Sequence, residues 1–115
     1  MLKFTFTKQQ RLLKSAEFAA VKGTKLTVST PQFLLLARPS ERARLGLAIA
    51  KRYVKLAVDR NTIKRVSRES FRHQSSTLPK LDMVLLTRPA VTKLNKAELK
   101  VCIDNLFQQL TKRYA

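Results

Sequence analysis

The sequence predicts a single α+β domain over residues 1–115, in which a four-stranded sheet packs against helices. Segments with strand-like alternation are grouped together, amphipathic helical segments lie before, between and after them, and only two Gly and four Pro interrupt the chain. The 44% hydrophobic residues are enough for one core, and no repeat or low-complexity linker divides the chain. We expect the order α-β-β-β-α-β-α, a sandwich with a mostly antiparallel sheet.

The first predicted element is a short helix over about 16–22. Ser15 suits its N-cap position, because a serine oxygen accepts hydrogen bonds from the unpaired N–H groups of the first turn. Gly23 suits its C-terminal end, where glycine tolerates the backbone that stops a helix. Residues 1–13 before it are polar and basic with scattered apolar side chains, and we expect an extended basic arm there.

Four strands are predicted, over 24–30, 32–38, 44–51 and 82–89. The first is rich in β-branched residues, the second is a continuous apolar run, and the fourth is short, apolar and ended by Pro89. The third, R-L-G-L-A-I-A-K, alternates large residues with small ones, so its large side chains should face the core. Its small side is flat enough for either a ligand or another part of the protein to approach closely.

The last element is a helix with strong local signals. Asn95 followed by Glu98 matches a capping box, in which each side chain accepts a hydrogen bond from the other residue's backbone. Apolar residues then recur at helical spacing, at Leu99, Ile103, Leu106 and Leu110, with Cys102 and Phe107 widening the stripe. As the single cysteine, Cys102 cannot form an internal disulfide, and its place in the stripe favours an unreactive buried thiol over a nucleophile.

The charge of the chain predicts a polyanionic partner. Its 24 Lys and Arg against seven Asp and Glu give a formal charge of +17, and a small domain with that charge repels itself unless an anion is near. Nucleic acid is favoured strongly over an anionic membrane surface. No apolar run reaches the roughly 18 residues of a membrane span, and the N-terminus lacks a secretory apolar region. We expect a cytoplasmic protein that is monomeric when free and contacts no membrane.

A basic helix is predicted over 57–73. Spacing of i, i+4, i+8 and i+12 places four cations on one ridge, namely Arg60, Lys64, Arg68 and Arg72. Ile63 and Val66 turn away from the ridge toward the sheet, with Phe71 at the boundary. Like charges at i, i+4 destabilise a helix until an anion neutralises them, so a nucleic-acid surface is favoured over a merely solvated face.

Further polar and basic residues surround the ridge. Asn61 and Arg65 flank it, and the connection before the helix adds Lys51, Arg52 and Lys55. Arginine in particular binds phosphate oxygens two at a time. Asn61 suits either a hydrogen bond to a phosphate or sugar or a local backbone cap.

No catalytic residue and no metal-ligand set is predicted. His73 is the only histidine and has no partner at a recognisable spacing. Asp59 and Glu69 lie ten residues apart on differing faces of the basic helix, which disfavours a paired metal site. Asp59 is better explained by the favourable interaction of a carboxylate with a helix N-terminus.

The stretch from residue 44 to 72 resembles the signature of the bacterial ribonuclease P protein subunit. It reads R-L-G-L-A-I-A-K-R-Y-V-K-L-A-V-D-R-N-T-I-K-R-V-S-R-E-S-F-R, and the family's R-N-x-I-K-R-x-x-R-x-x-F is met by Arg60, Asn61, Ile63, Lys64, Arg65, Arg68 and Phe71. R-L-L-K-S-A-E-F (11–18) is similar to the family's opening and D-M-V-L-L-T-R (82–88) to its last strand. The resemblance covers essentially the whole chain.

The resemblance implies a protein that binds one large catalytic RNA. That RNA carries out the magnesium-dependent hydrolysis that removes the 5′ leader of precursor tRNA, and Mg²⁺ would be bound mainly by the RNA. The implied fold is named after the second domain of a small-subunit ribosomal protein and has a left-handed β-α-β crossover around the basic helix, against the usual handedness. Sequence patterning by itself does not indicate that crossover.

The resemblance also implies two sets of site residues. The surface that contacts the catalytic RNA maps to Lys51, Arg52, Arg60, Asn61, Lys64, Arg65 and Arg68, and the charge pattern extends it to Lys55 and Arg72. A cleft between the sheet and the first helix, which takes the single-stranded leader, maps to Phe18, Lys22 and Phe33. Relatives often have an aromatic where Lys22 and Leu36 stand, so the stacking platform is more basic here. For Phe18 and Phe33, core packing stays an equal alternative to base contact.

Two further classes of function stay open. A non-catalytic RNA-binding module, such as a ribosomal protein, fits the size and charge but leaves the order of the motif unexplained. A protein-only nuclease is disfavoured, because the chain lacks an acid–base set of its own.

Overall fold

The computed structural model describes residues 26–114. The strands are β1 (Leu26–Ser29), β2 (Phe33–Pro39), β3 (Arg44–Ala48) and β4 (Leu81–Thr87); the helices are α1 (Ala57–Gln74) and α2 (Lys96–Tyr114), with a 3₁₀ helix at Pro89–Lys93 before α2. The arm predicted at 1–13 and the helix predicted over 16–22 lie outside the described residues. From β1 onward the predicted order of strands and α-helices is confirmed, and the 3₁₀ helix is an addition.

The four strands form one sheet in the order β1-β2-β4-β3. β1 pairs with β2 and β2 with β4 in antiparallel fashion, whereas β3 lies parallel to β4 with Leu47 opposite Leu85. The predicted mostly antiparallel sheet is therefore confirmed. Parallel neighbours need a crossover connection, and α1 supplies it between β3 and β4.

β3 is shorter than the predicted strand 44–51. Its regular pairing stops at Ala48, and the Ala50 N–H donates to the Thr87 side-chain hydroxyl at 2.9 Å instead of to a strand neighbour. The chain then turns, with the N–H groups of Tyr53 and Val54 donating to the Ala50 carbonyl at 3.2 and 3.0 Å. Lys51 thus belongs to a turn that is tied to the end of β4.

The main core lies between one face of the sheet and both helices. Its buried members are Val28, Phe33, Leu35, Ala37, Leu45, Val54, Ile63, Val66, Phe71, Leu78, Leu81, Met83, Leu85, Val91, Leu99, Ile103, Leu106, Phe107 and Leu110. The rings of Phe71 and Phe107 join the helices in an edge-to-face contact, with centroids 6.0 Å apart. The apolar stripe predicted for α2 and the inward direction of Ile63 and Val66 are confirmed, and Phe71 is fully buried rather than at the boundary.

The other face of the sheet is also apolar. Leu34, Leu36, Val84, Leu86 and Ala48 form a second cluster there, in which Leu36 and Val84 are buried. Strands that are apolar on both faces give continuous hydrophobic runs, which explains why β2 and β4 show no alternation. In β3 the predicted alternation is confirmed, because Leu45 enters the main core while Ala48 belongs to the second cluster.

A polar network and a capping box position the two helices. The Ser70 hydroxyl of α1 donates to the Asp104 carboxylate of α2, and Lys100 pairs with the same carboxylate at 3.0 Å. At the start of α2, the Asn95 N–H donates to Glu98 Oε1 at 3.0 Å and the Glu98 N–H donates to Asn95 Oδ1 at 2.8 Å. The capping box predicted from the sequence is confirmed.

The single thiol is half-buried between α2 and the start of β2. Burial raises the pKa of Cys102 above its ordinary value, and the hydrogen bond with Thr30 opposes this only in part. A raised pKa leaves little thiolate at neutral pH, which is the form that reacts. Across residues 26–114, neither helix combines the length and the apolar character needed to cross a membrane.

Candidate nucleic-acid interface

The candidate interface is built on α1 and the turn that precedes it. We call it the basic surface and define it as Lys51, Arg52, Lys55, Arg60, Asn61, Lys64, Arg65, Arg68 and Arg72. The structure places all nine of these residues along the turn and the helix that follows. The side chains of Lys51, Arg52, Lys55, Asn61 and Arg65 are exposed, and the other four are half-buried.

The direction of this surface is set by what α1 buries. Ile63, Val66, Ser67, Ser70 and Phe71 are the buried residues of the helix. The buried Ser67 hydroxyl donates a hydrogen bond to the Ile63 carbonyl at 2.7 Å. This polar side chain can therefore face the core without an unpaired hydrogen-bonding group. Because the core holds this side, the cations of the basic surface are turned outward.

The residues of α1 that project furthest into solvent are not those of the predicted ridge. The ridge of Arg60, Lys64, Arg68 and Arg72 is half-buried, whereas Asn61 and Arg65, predicted to flank it, are exposed. The Nε atoms of Arg68 and Arg72 are buried, which shows that the stems of these arginines lie along the protein surface. The outermost line of the surface is therefore the one through Asn61 and Arg65.

Arg60 has a structural role that the sequence did not reveal. Its Nη1 donates to the backbone carbonyls of Val54 at 3.0 Å and Lys55 at 2.8 Å. These contacts join the first turn of α1 to the preceding turn, where Leu56 occupies the N-cap position without a side-chain hydrogen bond. No local sequence signal indicates such a contact, because it depends on how the turn folds back over the helix.

Three further charged residues are kept out of the interface. Arg44 forms a two-point ion pair with the buried Asp82 across β3 and β4, with N–O distances of 2.7 and 2.8 Å. Its charge is thus neutralised within the sheet. The two carboxylates of α1 lie on the flank away from the ridge. Asp59 lines a groove between α1 and the segment before α2, and Glu69 lines a second cleft, between α1 and α2.

Asn61 and Arg52 take distinct roles in the basic surface. Within residues 26–114 the Asn61 side chain makes no hydrogen bond, so the alternative of a local backbone cap does not describe this structure. Arg52 places its guanidinium carbon 4.7 Å from the centroid of the Tyr53 ring, a cation–π contact that holds both groups together. The Asn61 amide and the Arg52 guanidinium thus both belong to exposed side chains of the basic surface.

The residues implied for the leader cleft are only partly described. Phe18 and Lys22 lie outside the described residues. Phe33 is 0% exposed and packs in the main core on the helix side of the sheet. This is the position expected from the core-packing alternative for Phe33. Leu36, where relatives often have an aromatic, instead belongs to the apolar cluster on the opposite face.

No metal-ligand set is found in the part of the chain that the structure describes: no three His, Cys, Asp or Glu side chains come close enough to hold an ion. The chemistry available on the basic surface is that of cations, one amide and backbone groups. Such a set binds phosphates and sugars and offers no side chain with the geometry of a general base.

Comparison with known proteins identifies the family. A family model described as Ribonuclease P matches residues 6–111, which is nearly the whole chain. The chain belongs to the ribonuclease P protein family. It is therefore a protein component of the holoenzyme that processes the 5′ end of tRNA, and the family works with ribonuclease P RNA and precursor tRNA.

Solved structures of the family agree with this assignment. A Staphylococcus aureus RNase P protein, described as a mutant with defective mRNA degradation activity, is 26% identical, has a TM-score of 0.77, and covers 93% of this chain and 89% of its own. The Thermotoga maritima RNase P protein is 25% identical with a TM-score of 0.71, covering 86% and 96%. A second S. aureus structure, at 23% identity, has the same fold with a TM-score of 0.78 and 93% of both chains covered.

Proposed function

We propose that the basic surface binds the catalytic RNA of ribonuclease P. The observation that carries this is the one-sided arrangement of α1: its cations face outward together, while its two carboxylates lie on the other flank. Phosphates brought next to this surface exchange their counterions for Lys and Arg, which releases those ions and favours binding. The arginines add geometry, because a guanidinium can hold two phosphate oxygens at once.

We further propose that the protein assists cleavage without supplying catalytic groups. The RNA would hold the Mg²⁺ ions, because a chain with 24 Lys and Arg and seven Asp and Glu cannot concentrate a divalent cation itself. By neutralising phosphates that would otherwise repel one another, the protein lets RNA, substrate and metal assemble at lower Mg²⁺ concentration. A cytoplasmic location and a monomeric state when free stay predictions.

The 5′ leader of precursor tRNA is the second proposed ligand. The family resemblance assigns it to a cleft beside the sheet, where Phe18 and Lys22 would take part. Because Phe33 is buried in the main core, we propose that it contributes packing rather than base contact. Stacking on aromatic rings contributes roughly 1–3 kcal/mol per base, so a cleft with fewer aromatics should depend more on the charge of Lys22.

One reconstitution tests the proposed function. Cleavage of precursor tRNA is measured with the catalytic RNA of the same organism at low Mg²⁺ concentration, with and without this protein, and with long and short leaders. We expect the protein to stimulate cleavage, and the long leader to improve substrate affinity only when the protein is present. Cleavage by the protein alone would favour a nuclease instead.

The same reconstitution tests the two proposed ligands separately. If the protein neither binds that RNA nor stimulates cleavage, the proposed role in ribonuclease P is wrong. If it binds and stimulates, but the leader length has the same effect with and without it, the catalytic RNA is a ligand of the protein and the leader is not.

A further inference from the structure

A second concave surface lies on the flank of α1 away from the ridge. It is a groove of about 740 Å³ between the turn at 52–56, the first two turns of α1 and the segment from Pro89 to Leu99. Its floor is formed by buried apolar side chains such as Val54, Ile63 and Leu99, and Leu56 stands at its wall with 62% of its surface exposed. A volume of this size accommodates a small flat organic group.

Two residues that line the groove have side chains of the kind that stack on a nucleobase. They are Tyr53 and Arg52, and the Arg52 guanidinium carbon lies 4.7 Å from the centroid of the Tyr53 ring. Aromatic rings and guanidinium planes are the surfaces on which unpaired bases stack in protein–RNA complexes. An apolar floor beneath such a platform favours a flat group over a hydrated ion.

The rim of the groove favours an anionic ligand. Arg52, Lys55 and Lys96 carry positive charge around it, against the single carboxylate of Asp59. Lys55 and Lys96 are exposed, so both can reach a phosphate without being drawn into the apolar floor. A nucleotide bound here would pack its base against the apolar floor and place its phosphate next to the cations of the rim.

We propose that this groove receives one unpaired nucleotide of the ribonuclease P RNA. We assign the nucleotide to this RNA because the groove is continuous with the basic surface: Arg52 and Lys55 belong to both. An RNA that lies along α1 therefore reaches the groove over the same turn. This inference rests on the proposed function and adds a site on the opposite flank of the helix.

Asp59 gives the groove a preference among bases. Within the described residues its carboxylate makes no ion pair, and it lines the groove beside the first turn of α1. A carboxylate only accepts hydrogen bonds at neutral pH, so it suits the amino groups of guanine, adenine or cytosine. Uracil has no amino group and offers only its N3–H, which lies between two carbonyl oxygens, so a uridine at this position should pair less well with the carboxylate.

The test uses the full catalytic RNA and four variants of the full chain, the fourth being Asp59→Asn for the comparison of bases. Lys96→Ala removes a rim cation, and Leu56→Ser removes the exposed apolar wall. Lys93→Ala is the matched control, since Lys93 is also an exposed cation, lies three residues from Lys96 and does not line the groove. The dissociation constant Kd and the reactivity of every RNA nucleotide toward dimethyl sulfate and a 2′-hydroxyl acylating reagent are measured.

We expect the wild-type protein to protect one unpaired nucleotide, and Lys96→Ala and Leu56→Ser to restore its reactivity while raising Kd about tenfold. Lys93→Ala should raise Kd no more than about twofold and leave the protection in place. Replacing the protected nucleotide by uridine should weaken binding to the wild type and have little effect with Asp59→Asn.

Three results would overturn the groove as a nucleotide site. The first is equal loss of affinity and protection in Lys96→Ala and Lys93→Ala, which would mean that only overall charge matters. The second is protection unchanged by Leu56→Ser and Lys96→Ala. The third is a wild-type complex without any protected unpaired nucleotide, as expected if an acidic peptide or another part of this chain fills the groove. In each case tight binding of the wild type would leave the proposed function intact.

Discussion

The two helices carry nearly the same charges in opposite arrangements. α1 has five Lys and Arg with two carboxylates, and α2 has four Lys and Arg with two carboxylates. In α2 Lys100 pairs with Asp104 at i, i+4, and Lys112 and Arg113 lie in the last turn, where cations suit the helix dipole. In α1 cations follow cations at i, i+4 along the ridge. Arrangement, and not the amount of charge, distinguishes the helix that we propose as the main RNA-binding element from the helix that packs behind it.

The helix ends differ in the same way. α2 begins with a reciprocal capping box, whereas the N-cap residue of α1 is Leu56, which makes no side-chain hydrogen bond. α1 therefore relies on its buried side, on the Ser70–Asp104 contact with α2 and on the two carbonyl contacts of Arg60. The start of α2 is thus stabilised by its own sequence, whereas α1 is stabilised mainly by contacts with its neighbours.

The largest expected effect is a loss of RNA affinity when cations are removed from α1 rather than from α2. Changing Lys64, Arg65 and Arg68 together to Ala should weaken binding to the catalytic RNA by about a hundredfold and lower the slope of log K against log salt concentration by about 2–3, because each phosphate contact contributes close to one. Binding is measured by filter retention or fluorescence anisotropy across a range of salt concentrations.

The matched control removes the same charge elsewhere. Lys93, Lys100 and Lys112, also changed to Ala, take three cations from the segment before α2 and from α2 itself. They should change affinity by less than about fivefold, which reflects only the reduced net charge. Equal losses in the two triple variants would show that RNA recognises the overall charge of the domain and not the surface of α1.

The same contrast explains what the sequence could predict. α2 was predicted in detail because Asn95, Glu98 and the apolar stripe act within one helix. The core side of α1 also followed from periodicity. By contrast, the partners of Arg60 depend on a turn that folds back over the helix, and the 3₁₀ helix at Pro89–Lys93 follows from packing after β4. Neither leaves a periodic signal.

Phe33 illustrates the limit for the candidate site. β2 reads F-L-L-L-A-R-P, and a strand that is apolar on both faces gives no alternation from which to assign its sides. Only the pairing with β4 and the position of the helices put Phe33 in the main core and Leu36 in the second cluster. The nine residues of the basic surface, in contrast, are close together in sequence and were found by spacing and resemblance.

A smaller effect, on the stability of the fold, is expected when Arg60 is replaced. Arg60→Lys keeps the charge, but the lysine side chain is one bond shorter and does not place its ammonium where Nη1 contacts both carbonyls. Because the site is half-exposed, we expect a loss of about 1 kcal/mol in the free energy of unfolding, measured with urea. Arg65→Lys, on the exposed line, should change stability by less than about 0.5 kcal/mol. If both variants unfold at the wild-type urea concentration, the carbonyl contacts of Arg60 do not support α1.

The smallest expected effect is a gain, and not a loss, in the free energy of unfolding. Leu56 has extended backbone angles, φ −84° and ψ 132°, which are those of an N-cap residue. Leu56→Ser would add the side-chain acceptor that α1 lacks, and since Leu56 is 62% exposed, little burial is lost. We expect a gain of about 0.5–1 kcal/mol in the free energy of unfolding. Asn95→Ala in α2 should lose about as much, because a working cap is removed. A serine that stabilises the fold while weakening RNA binding would show that the chain keeps a leucine at this end of α1 for its ligand and not for its helix.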